Sequence, residues 1–330
     1  MNEDPNLEVL KMKEVRHVDV KEEMKIDELV KEMREGAGFG ARHLAESVDI
    51  YEEMIRDEEN TIFLTLAGAL IPGGMKKVIS KLILKNYVDV LISTGAILTH
   101  DLIEAFGYKH FHGSAVIDDD ELQKRGLNRI YNILLPNEAY IGLEKRLNDI
   151  FGTLEIKNMS NRAFLYELGK TIENKDSILK IAADNSVPIY CPAISDSVLG
   201  YHIWSYSQLH ELPIDIFKEH KEIVDIAFDS PKKGAVICGG GVPKHFVALA
   251  MQVTGKGLDY AIQITMDRPE PGGVSGASLK EAISWNKVDS NAKKVDVICD
   301  ITIALPIILG SLMTRLKSFK RKRKKFEFYG

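Results

Sequence analysis

The densest group of chemistry-capable residues is the stretch DRPEPGGVSGASLKEAISWNK, residues 267–287. A glycine-rich loop containing Gly272 leads there into Glu281, Trp285 and Lys287. A lysine near an indole and a carboxylate can hold a cationic ligand through cation–π and charge contacts. Two structural readings stand beside that one. Lys287 can be a surface lysine, and Ser278 and Glu281 have the spacing of a helix capping box. In GGGVPKHF (239–246) a glycine turn is followed by His245, which reads as a packed or capping histidine or as a proton-transfer group. His110 and His112 share one face of a strand in HFH, but no third ligand stands near them, so no metal site is expected.

These residues need a scaffold, and the apolar pattern supplies one. TIFLTLAGAL (61–70), VDVLIST (88–94), PIYCPAI (188–194), GAVICGG (234–240), DYAIQIT (259–265) and VDVICDI (295–301) read as strands. Their β-branched runs lack polar alternation, which predicts cover on both faces. Helical stretches such as MKKVISKLILKN (75–86) separate them, so a mostly parallel, doubly wound α/β sheet is expected. Residues 1–35 read as a helical extension, because Ile26 to Met33 carry apolar residues at helical spacing. Several strands end in glycine or an acid: Gly68, Thr94 with Gly95, Asp196, Gly240 and Asp300. Open α/β sheets bind ligands outside those ends, where small residues let backbone N–H groups approach phosphates. A dinucleotide fits such a site. Yet no GxGxxG follows any strand, and tight strand-to-helix turns need glycine in any case.

Composition narrows the class. With 330 residues, 45% hydrophobic and 28% charged, the chain can bury a substantial core. A net charge of −5 argues against a dedicated nucleic-acid site. The N-terminus is charged and lacks an apolar signal core, and no apolar run has membrane-spanning length, so a cytoplasmic protein is expected. Three scattered cysteines read as small buried strand residues. The run KRKRKK (320–325) predicts a solvated, disordered end over residues 314–330.

Seven ordered segments together resemble the deoxyhypusine synthase family, in its archaeal form, from about residue 36 to residue 313. They are GFGARHL (38–44), VDVLISTGAILTHDLIEAFG (88–107), GLNRIYNILLPNE (126–138), PIYCPAISDSVLG (188–200), GGGVPKHF (239–246), DYAIQITMDRPEPGGVSGASLKEAISWNK (259–287) and CDITIALP (299–306). The resemblance implies a Rossmann-like NAD-binding catalytic domain in a homotetramer, with sites between paired subunits. It implies transfer of an aminobutyl group from a polyamine to a lysine of translation initiation factor 5A. Lys287 matches the family's catalytic lysine and His245 a proton-transfer residue. Glu281, Trp285 and His245 match its amine pocket, and Tyr201 and Gly272 are expected to bind substrate with them. Gly68, Thr94, Gly95, Asp196, Gly240 and Asp300 fall where the family contacts NAD, with Asp267 close by and His100 at the nicotinamide end.

Three positions depart from the eukaryotic pattern: Tyr201, Val274 and His100 stand where those members carry acids. Spermidine is a tri-cation that favours several carboxylates, so agmatine remains open as a donor. Two other functions also remain open. One is a homospermidine synthase-like transferase with a small diamine acceptor, which would use the same Lys287. The other is a non-catalytic paralogue, against which the intact spacing of Lys287, His245, Glu281 and Trp285 counts.

Overall fold

The computed structural model describes residues 14–155 and 157–328. Six strands form one sheet: β1 (Asn60–Leu66), β2 (Val90–Ser93), β3 (Ile189–Tyr190), β4 (Lys232–Cys238), β5 (Leu258–Thr265) and β6 (Val288–Ile298). Their order is β6-β5-β4-β1-β2-β3 and every pairing is parallel. That is the doubly wound order of dinucleotide-binding folds, with its topological switch between β1 and β4.

The expected cover on both faces is present, and it explains the missing alternation. Within β1, Ile62, Leu64 and Leu66 enter one core cluster while Phe63 enters a second on the opposite face. Within β4, Val236 and Cys238 join the first cluster, Ala235 and Ile237 the second. A strand with two dry faces must be apolar at every position. Cys191 and Cys238 are buried as expected, whereas Cys299 is only partly so.

The helix Ile26–Gly36 packs on the helices Phe39–Arg56 and Ile301–Arg315. Asp27 fastens it there, accepting from Ser311 Oγ at 2.7 Å and from Arg315 Nε at 2.5 Å. The first 13 residues of the expected N-terminal extension lie outside the described residues.

The basic run departs from the expected solvated end. Residues 316–328 cross the N-terminal edge of the sheet, and Arg321 forms a bidentate pair with Asp89, 2.7 Å for each bond. Arg323 and Lys324 donate to the carbonyls of Ile83 and Glu59. Phe326 and Phe328 pack against the second core cluster, and the Arg162 guanidinium lies 3.9 Å from the Phe328 ring centre. The physical reason is local. Asp89 and the carbonyls at the strand starts need donors, and a run of basic side chains supplies them.

The middle of the chain forms a three-stranded antiparallel sheet, Phe111–His112, Ile133–Pro136 and Leu127–Ile130. Its hairpin turns at Tyr131, which holds a left-handed φ of 54°. Such a backbone is costly for an aromatic residue and marks a turn held by its surroundings.

Candidate active site

The C-terminal ends of the sheet strands open into a cavity of about 1000 Å³. Gly68, Thr94, Gly95, Asp196, Gly240, Asp267 and Asp300 all line it. Seven of the eight residues expected at the cofactor thus share one wall system, though they come from six different strand ends. Thr94 caps the helix Gly95–Ala105 and Asp300 caps the helix Ile301–Arg315 through its bond to Thr302 N, 2.7 Å. Their helix N-termini supply unpaired backbone donors at the cavity edge.

The glycines are required by close approach. A Cβ on Gly240 would lie 2.3 Å from Ser275 Cα, and one on Gly95 would lie 2.3 Å from Ser197 Oγ. Gly68 and Gly239 hold φ near +83° and +82°. No lysine or arginine is among the cavity-lining residues, while Glu104, Asp196, Asp267 and Asp300 are. Phosphates would therefore meet backbone N–H groups and hydroxyls, and the acids suit ribose hydroxyls or an amine cation. The cradle at the switch point fits a dinucleotide on these grounds.

His100 is the exception. Its ring is not part of the cavity lining; it sits behind His110, with His100 Nδ1 and His110 Nε2 2.9 Å apart. Burial first, and the charge of His110 second, push the His100 imidazole down from 6.5 to about 4. The folded chain thus refuses a proton that the unfolded chain accepts. The resulting stability is present above pH 6.5 and is lost as pH falls toward 4, on the order of 3 kcal/mol in full. Urea unfolding of the wild type should show this loss across that interval, and His100→Gln should show a shallower slope. Equal slopes would remove His100 as its source.

The expected amine residues form a second group outside the cavity lining. Lys287 follows the one-turn helix Glu281–Ser284, and its Nζ lies 5.0 Å from the Trp285 ring centre. Asn286, between them, has a left-handed φ of 56°, which turns the chain sharply into β6. His245 rises from the helix Gly241–Val253 close enough to feel the Lys287 charge. Burial, then that charge, holds the His245 imidazole below its ordinary value, favouring the neutral ring. Glu281 is exposed, and its N–H donates to Ser278 Oγ at 3.1 Å, the first half of the capping box. Gly272 turns the loop at φ +75°. Tyr201 stands apart, on the helix Val198–Ser207 with its ring 5.3 Å from that of Trp204.

Two contacts tie these groups together, and neither was foreseen. Lys244 is buried and donates to Val274 O at 2.8 Å and Ala277 O at 2.6 Å, clamping the glycine loop. Burial pulls its ammonium down to about 8. Gly241 N donates to Ser275 Oγ at 3.0 Å, joining the glycine turn of the cavity to the same loop. A lysine on the apolar face of VPKHFVALA was the visible signal. Glu104 carried no signal of its own, because it lies on an ordinary helix face.

Comparisons with known proteins agree with this architecture. The family model for deoxyhypusine synthase matches residues 28–312. A protein of Methanosarcina thermophila named "Probable deoxyhypusine synthase" is 45% identical over 302 residues, 92% of this chain and 95% of its own length. "Probable deoxyhypusine synthase 1" of Archaeoglobus fulgidus is 40% identical over 297 residues, 90% and 97% of the two chains. A crystal structure from Entamoeba histolytica named within the same family superposes with a TM-score of 0.66 at 16% identity, covering 93% of this chain and 100% of that one. At that identity it speaks for the fold alone. The family match over most of the chain and the archaeal relatives place this protein in the deoxyhypusine synthase family.

Proposed function

We propose that the chain is an NAD-dependent aminobutyl transferase that modifies a lysine of translation initiation factor 5A. The observation that carries this reading is the pairing of a dinucleotide-shaped cavity with a lysine–indole–histidine group across one clamped loop. NAD⁺, when bound, supplies a hydride acceptor for the carbon beside the donor's secondary amine and later returns that hydride. Gly68, Thr94, Gly95, Gly240, Asp196, Asp267 and Asp300 would hold it.

The chain's own residues do the rest. Trp285 offers a π face to a cation and Glu281 a carboxylate. Lys287 Nζ, in its neutral form, attacks the donor's imine carbon; 1,3-diaminopropane leaves and a butylamine imine stays on Lys287. The acceptor lysine displaces Lys287 from that imine. His245, neutral as the surroundings favour, takes a proton at Nε2 or Nδ1 from an attacking ammonium.

We further propose a homotetramer in which paired chains complete the site. Tyr201, Trp204 and Trp285 expose 60%, 54% and 56% of their surface, which is unusual for aromatic residues and suits cover by a second copy. The donor is a cationic amine, because acids line the cavity without a lysine or arginine. No helix among the described residues is long and apolar enough to cross a membrane.

The test is a mass measurement. Purified protein, NAD⁺ and initiation factor 5A are incubated with spermidine or with agmatine. An NAD⁺-dependent mass increase on the factor is expected. A diamine product from putrescine, with no adduct on the factor from either amine, would overturn this reading in favour of a small-molecule transferase.

A further inference from the structure

One aromatic residue on the cavity wall has no part in the roles assigned above. The strand ends give the wall glycines, hydroxyls and acids, and a further part of it comes from the three-stranded antiparallel sheet. Ile130, Tyr131, Asn132 and Ile133, the tip of its hairpin, all line the cavity. Ile130 pairs with Ile133, so Tyr131 and Asn132 are the whole loop, and Tyr131 alone of the two has a positive φ. A two-residue hairpin with that pattern favours glycine at its first position, because a Cβ is strained there.

The chain carries a tyrosine instead and holds it in place. Arg129 Nη1 donates to Tyr131 O at 3.1 Å, and Arg129 is itself fixed by two bonds of 2.6 Å to Asp119. The next residue is held as well, since Gly113 N donates to Asn132 O at 2.9 Å. The ring gains little burial in return, for Tyr131 is 74% exposed. Phe111 also lines the cavity, but it sits in a strand, where an aromatic residue is at ease. A strained backbone that keeps a ring out of the core and on the cavity wall points to a role outside the fold itself.

We propose that the Tyr131 ring is a stacking platform for a flat ring of the dinucleotide. This deepens the function proposed above and rests on NAD as its cofactor. The rest of the cradle explains the choice of partner. Backbone N–H groups suit phosphates and acids suit ribose hydroxyls, but neither offers a face to a heteroaromatic ring. A dinucleotide ends in two such rings, adenine and nicotinamide, and either stacks on a phenol through the same apolar and π contact. Tyr131 thus brings from the middle of the chain what the strand ends lack. Glycine at this position would relax the turn and remove that face.

The experiment measures NADH and ADP-ribose binding by calorimetry, with no amine present, so that a loss cannot come from a donor cation. Tyr131→Gly should weaken NADH binding about tenfold or more, the scale of one base stacked on an aromatic side chain. Its urea midpoint should equal or exceed that of the wild type, because glycine relieves the strain, whereas a role in packing alone would lower it. Tyr131→Phe keeps the ring and should bind NADH within about twofold of wild type. Tyr131→Asn, which tolerates left-handed backbone, repeats the ring deletion should Tyr131→Gly fail to fold. An equal loss for ADP-ribose assigns the stacked ring to adenine, and a loss confined to NADH assigns it to nicotinamide. NADH affinity within about twofold of wild type in Tyr131→Gly, or a loss in Tyr131→Phe as large as in Tyr131→Gly, overturns the proposal. Failure of the wild type to bind NADH would overturn the NAD-dependent reading instead.

Discussion

Replacing Lys287 with alanine should abolish aminobutyl transfer to the factor, a loss above about a thousandfold, while NAD binding persists. The two readouts separate because the structure separates the residues. Lys287 is not among those lining the cavity; it stands beside Trp285 at the start of β6. Removing its amine leaves the glycine cradle and Asp196, Asp267 and Asp300 in place. Lys287→Arg should fail as well, since a guanidinium stays protonated and cannot attack carbon. Fluorescence of bound cofactor reports the first property and the factor's mass the second. Transfer near the wild-type rate in Lys287→Ala would exclude this residue as the covalent carrier. Loss of both properties would point to a collapsed loop instead, a result checked by unfolding.

The largest stability effect should come from the opposite end of the sheet. Arg321→Met should cost about 3–5 kcal/mol, the usual penalty for stripping one partner from a buried ion pair. Arg321 and Asp89 have side-chain exposures of 2% and 0%. Arg321 also donates to Asn60 O at 2.7 Å and to Asn86 O at 3.1 Å, so one side chain satisfies the starts of β1 and β2 together. Without it, Asp89 keeps only the N–H of Ile62, 2.8 Å away, for a full buried charge. Adding Asp89→Asn to Arg321→Met should recover part of the loss, because the orphaned charge is then gone. Urea unfolding measures both variants. A single variant within about 1 kcal/mol of wild type would show that the basic strap contributes little to the fold.

That strap marks where local reading ends. KRKRKK is a hydrophilic run, and nothing within it names Asp89, more than two hundred residues earlier, as its counter-charge. Five of the six strands were legible because burial on both faces leaves an apolar signature within each short segment, whereas the edge strand β6 was legible only from Val295 on, its first half being polar and partly exposed. Strand order was not, since pairing β4 beside β1 is decided by how the helices cover the sheet.

The site divides in the same way. Residue types and spacing alone singled out the lysine–indole–glutamate stretch, the histidine after the glycine turn, and glycines and acids at strand ends. Their chemistry is intrinsic to the side chains and survives without coordinates. Only the tertiary structure decided that seven strand-end residues share one cavity, that His100 stands behind His110, and that Lys244 clamps the loop leading to Lys287. Each is a contact across long sequence separation, where burial and charge pairing set the outcome. The sequence by itself determined which chemistry this chain can perform; the packing of the sheet and its helices decided which side chains meet to perform it.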